Sequence, residues 1–108
     1  MALQKTLTLP SGVAGNYSRL ISYRWDRAAK EAVALFALYL DAAAAASGKQ
    51  PVTPWIAKLR LTGDKFDLYL GNAALEDHDV IAQLYMAAKA EPVASDFGQN
   101  VFADAIDV

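Results

Sequence analysis

Residues 26–48, DRAAKEAVALFALYLDAAAAASG, decide what kind of fold this chain adopts. As a helix, the stretch has Asp26 for an N-cap, Lys30 and Glu31 near its start, good helix formers throughout and Gly48 just past its end. As a strand, it has Val33, Leu35, Ala37 and Tyr39 on one face and Ala34, Phe36, Leu38 and Leu40 on the other, after a polar turn over residues 26–31. Periodicity does not separate a fully buried strand from a buried helix. Propensity favours the helix, but it is a weak preference that tertiary packing overrides. On local evidence both readings stay open.

To the N-terminal side the pattern is clearer. Leu3, Leu7 and Leu9 alternate with Gln4, Thr6 and Thr8, which predicts a half-buried strand over about 3–9. Pro10-Ser11-Gly12 breaks it, and Gly15-Asn16 is a second turn signal. Residues 17–25 then alternate again, with Tyr17, Ile21, Tyr23 and Trp25 on the broad apolar face. To the C-terminal side, Ser47 to Pro51 together with Pro54 reads as a loop, because two prolines three apart remove donors from helix and sheet alike.

Strands are predicted over 55–61, with Ile56, Leu59 and Leu61 apolar, and over 66–70 after a Gly63-Asp64 turn, forming a second hairpin. Beyond Gly71-Asn72 the period changes. Val80, Ile81, Leu84, Tyr85 and Ala88 form the stripe of an amphipathic helix over about 77–90, capped near Asp77 or Asp79 and stopped by Pro92. Residues 92–108 carry Phe97, Val101, Phe102 and Ile106 among acids and read as a docking arm. The expected fold class is α+β: a small antiparallel sheet of hairpins, one C-terminal helix and a terminal arm, in a single domain over residues 1–108.

With 108 residues and no cysteine, such a domain stands on packing without disulfides. The formal charge of -2, with basic residues scattered among acids, argues against nucleic acid as a partner, since phosphate neutralisation carries most of that affinity. Apolar residues make up 55% of the chain, above the common share, which favours burial against copies of itself or other proteins. The longest apolar run is broken by Asp41 and is short for a membrane span. The opening Met-Ala-Leu-Gln-Lys lacks the layout of a secretion signal, so export by that route is not expected.

Chemistry finds little purchase. The single histidine sits in Glu76-Asp77-His78-Asp79, where adjacent helical positions diverge instead of converging on a metal. Acids at a helix start serve capping and the helix dipole. No serine lies in a nucleophile elbow, and Ser47-Gly48-Lys49 lacks both the first glycine and the hydroxyl residue of a phosphate loop, Gln50 following instead. The expectation is a protein with no catalytic residue, no metal and no cofactor. Aromatic residues with polar tips suit protein interfaces, and Tyr17, Tyr23, Trp25, Tyr39, Trp55, Phe97 and Phe102 are the candidate interface residues.

Three segments carry a resemblance: Lys5 to Val13 (KTLTLPSGV) with Asn16 to Leu20 (NYSRL), then Gly48 to Pro51 (GKQP), and finally Phe102 to Val108 (FADAIDV). In order and spacing they resemble a family of small bacteriophage tail-associated proteins. The resemblance implies a strand pair before the Gly48–Pro51 loop, which tips residues 32–41 toward a strand and leaves Ala42 to Ala46 as a helical turn or an irregular connection. A helix over residues 27–47 is the alternative. The resemblance further implies a virion structural protein of the tail, baseplate or fibre attachment, made in the host cytoplasm, acting through contacts with copies of itself and other virion proteins. It supplies no catalytic residues. Capsid decoration, or a small module that binds a host protein or glycan, are the alternatives.

Overall fold

The computed structural model describes residues 2–76 and 78–108. Its elements in chain order are β1 (Leu3–Thr8), β2 (Ala14–Asp26), β3 (Glu31–Tyr39), α1 (Ala42–Ala46), β4 (Thr53–Thr62), α2 (Asp64–Leu70), α3 (Val80–Ala90) and β5 (Ile106–Asp107). The five strands form one open antiparallel sheet in the order β4-β3-β2-β1-β5, so the fold is α+β.

The deciding stretch is a strand followed by a short helix. β3 takes the centre of the sheet, paired with β2 along one edge and β4 along the other. There Ala32, Ala34, Phe36 and Leu38 are buried together, as no helix lying on one face of the sheet could arrange them. Tertiary burial thus overrides the local helix propensity of Ala32 to Tyr39. The alanines keep their preference where the strand ends: Asp41 caps α1 by accepting from the Ala44 N–H at 2.8 Å.

The expected strand over 66–70 is corrected to a helix, α2. Phe66, Leu68 and Leu70 alternate, but Phe66, Tyr69 and Leu70 also stand at helical spacing. The helix buries all three of the latter and turns Leu68 out to 57% exposure. Asp64 and Asp67 sit in its first turn, where the helix dipole favours acids. With α1 and α2 present, the helix near the C-terminus is one of three among the described residues. α3 itself starts at Val80, its cap being Asp79, which accepts from Ala82 N–H at 2.6 Å; the alternative cap, Asp77, lies outside the described residues.

Gly15, expected in a turn, lies within β2. A Cβ there would come within 2.5 Å of the Tyr39 carbonyl oxygen, so glycine lets the two strands approach. The turn proper is at Pro10 to Gly12, where Gly12 has φ +90.

α2, α3 and the segment after α3 cover one face of the sheet. Phe36 is the centre of the core, 5.6 Å from the Tyr85 ring and 5.5 Å from Phe102. Val93, Val101, Phe102 and Ala105 of the terminal segment belong to that same core. The segment is tied at both ends: Lys58 and Ala94 exchange backbone bonds of 2.9 and 2.8 Å, and β5 pairs with β1.

Candidate interaction surface

On the opposite face of the sheet α1 lies against one end, its alanines lining grooves with Tyr17, Arg19 and Gln4, where Ala37 is wholly buried; the strand register says which side chains line the rest. Residues directly opposite each other on antiparallel strands project to the same side. Across β2, β3 and β4 the rows on this outer face read Arg24-Val33-Arg60 and Ser22-Leu35-Lys58, with Arg19 beside Ala37 and Tyr17 beside Tyr39. An aliphatic strip on β3 is thus flanked by basic residues on both neighbours. Asp26 and Glu31 close the hairpin end of the face, and Glu31 pairs with Arg60 at 3.3 Å. Four of the chain's ten basic residues stand here, so a surface with local positive charge hides inside a slightly acidic total.

A bulge at Ile21 sets this arrangement. The β2–β3 register shifts between Leu20 and Ser22. Before the bulge the even residues Ser18 and Leu20 face the core; after it the odd residues Tyr23 and Trp25 do. Tyr17 and Trp25, expected on one apolar face, therefore lie on opposite faces. The adjacent apolar pair Leu20-Ile21 was the signal in the sequence, since strict alternation never places two apolar residues side by side.

Beside the bulge is a groove of ≈ 700 Å³, lined by Tyr17, Arg19, Leu20, Ile21, Ser22 and Tyr23 of β2, by α1 alanines, and by Ile81 and Tyr85 of α3. The Tyr85 hydroxyl accepts from the Leu20 backbone N–H at 2.6 Å, and burial pushes its pKa up. A second, separate concavity of ≈ 530 Å³ is lined by Arg24, Arg27 and Val33 among others.

The seven candidate interface residues separate by position. Tyr23 and Trp55 are exposed, at 42% and 44%. Tyr17 and Tyr39 are half-buried and paired across the outer face. Trp25 is half-buried on the core side, its ring 6.0 Å from Phe66 and 5.2 Å from the Arg27 guanidinium carbon. Phe97 packs half-buried against the core. Phe102 is wholly buried, so its ring is not on the surface of the folded chain. Arg19, Arg24, Lys58 and Arg60 are not legible as a group in the sequence, because the whole-chain charge of -2 hides what the strand rows bring together.

Other polar clusters are structural. Glu91 accepts from the Tyr69 hydroxyl at 2.9 Å and pairs with Lys65 at 3.1 Å. Lys65 and Tyr69 hold the Glu91 carboxyl below its ordinary value, while burial and the bond to Glu91 push the Tyr69 hydroxyl up to about 12. His78 is exposed, and no group of three or more potential metal ligands occurs among the described residues. Among them, too, no helix is long and apolar enough to cross a membrane. Comparison with protein-family models, curated proteins and solved structures finds no match to the chain.

Proposed function

We propose that this chain is a structural subunit of a bacteriophage particle, seated at the tail, baseplate or fibre attachment and working through protein-protein contacts without turning over a substrate. The observation that carries the docking part is the outer sheet face: basic residues flanking an aliphatic strip is the composition of a surface that meets an acidic, partly apolar partner. The phage assignment rests on the resemblance of the Lys5–Leu20, Gly48–Pro51 and Phe102–Val108 segments. Nucleic acid is not the proposed partner. The chain's formal charge of -2 offers little net phosphate neutralisation, which carries most of such affinity.

Mass spectrometry of purified particles from the phage encoding the chain tests this directly. The expected result is the chain in fixed ratio to tail proteins, retained when tails are separated from heads. Recovery with heads would support capsid decoration instead, and absence from particles would overturn the virion assignment.

A further inference from the structure

One side of the sheet is stepped. β1 pairs with β2 only between Ala14 and Ser18, and β5 adds a further short strand outside β1. Among the described residues no strand lies beside the same edge of β2 from Arg19 to Asp26, and only the Tyr85 hydroxyl reaches it, at the Leu20 N–H. The result is a notch two strands deep next to a step two strands wide. The opposite edge of the sheet is blunted, by Pro54 within β4 and by the paired backbone bonds of Lys58 with Ala94.

The step is also open on its outer side. Ala2 and Val108 exchange both backbone bonds, each 3.0 Å. Antiparallel ladders alternate, so Asp107, the next residue, turns its N–H and C=O away from β1. Exposed apolar side chains gather along this outline. Ile21 (46%) and Tyr23 (42%) stand on the open strand, Ile81 (45%) and Met86 (50%) on α3 beside the grooves, and Ile106 (62%) on the step. Charge divides the same way: Arg19 and Arg24 flank the notch, while the step carries Asp104 and Asp107, which bind Lys5 and Lys89 yet remain 76% and 68% exposed.

We propose that two copies of this chain join across this edge about a two-fold axis normal to the sheet, each inserting its β5 beside the open half of the other's β2. The step fills the notch in both directions at once, as an isologous interface requires. β5 runs parallel to its own β2, since both are antiparallel to β1. The two-fold reverses it, so it meets the partner's β2 antiparallel and on the same sheet face. The open segment, about 26 Å long at ~3.3 Å per residue, accommodates the short inserted strand. Stacking two outer faces would instead set arginine against arginine, which disfavours a face-to-face dimer. This inference rests on the docking reading above and names one of its partners.

The chain has no cysteine, so two introduced ones report proximity cleanly. Ser22 and Ile106 both project to the outer face, by their pairing with Leu35 and with Gln4. Mixing a Ser22→Cys copy with an Ile106→Cys copy under mild oxidation is expected to give a disulfide-linked dimer that neither gives alone. Sedimentation velocity across a concentration series is expected to show a dimer. Ile21→Lys or Ile106→Lys should weaken it at least about tenfold, and Leu68→Lys, equally exposed but on α2, should leave it unchanged. A monomer at every concentration, a dimer broken by Leu68→Lys alone, or equal cross-linking in the unmixed samples overturns the proposal. A monomer that still co-purifies with particles would overturn the dimer and leave the docking reading standing. A dimer absent from particles would uphold the dimer and overturn the virion assignment.

Discussion

Ser18 is the residue whose burial is hardest to explain by packing alone. It is 1% exposed beneath the sheet, opposite Leu3 and Leu38, and its hydroxyl oxygen has no hydrogen-bond partner among the described residues. A buried hydroxyl left without a partner costs about 1–3 kcal/mol, more than the small void left by removing one oxygen. Ser18→Ala is therefore expected to raise stability by about 1 kcal/mol in urea unfolding; a loss of similar size would show that the hydroxyl is satisfied in solution. Tyr69 gives a pH prediction. Its hydroxyl ionises near 10 when exposed and at about 12 in the fold, so the folded chain keeps a proton that the unfolded chain gives up. The stability this provides is complete below pH 10 and is lost as pH rises toward 12. Tyr69→Phe should flatten that alkaline decline in a melting-temperature series.

At the scale of elements, the sequence showed strands where alternation meets β-branched and aromatic residues, as in β1 and β4, and showed α3 through its stripe and its capping aspartate. It misjudged elements whose two patterns coincide. Five residues from Phe66 to Leu70 satisfy both a period of two and a spacing of three and four, and only the position of the core decides between them. The bulge at Ile21 was legible as two adjacent apolar residues, but its effect, moving Tyr17 and Trp25 to opposite faces, follows from pairing with β3. Hence the candidate surface was half visible: Tyr17 and Tyr39 of the outer face and Tyr23 of the groove could be named, whereas the basic rows needed the register. Asp79→Ala removes the acceptor for the Ala82 N–H and should cost about 1 kcal/mol. Helix-region amides should lose protection in the first turn before the rest.

For the molecule as a whole, the terminal segment is both core and edge. Phe102 fills the space against Phe36, and β5 lies outside β1 as the sheet's last strand. Phe102→Ala should therefore cost about 3–5 kcal/mol in denaturant unfolding, a loss far beyond what a loosely docked arm would give. The same segment then presents Ile106 to the surface, so one stretch of chain completes the fold and offers the means of assembly. Natural sheets cover, shorten or charge their edges; here β4 is blunted and the outer half of β2 is left with a groove beside it.

Hydrogen exchange at the Arg19 to Asp26 amides, followed across a dilution series, addresses that contrast most directly. The amides on the open edge are expected to exchange slowly at high concentration and to speed up as the chain is diluted, while β3 amides stay slow throughout. Fast exchange along that edge at every concentration, with β3 equally protected, would contradict it.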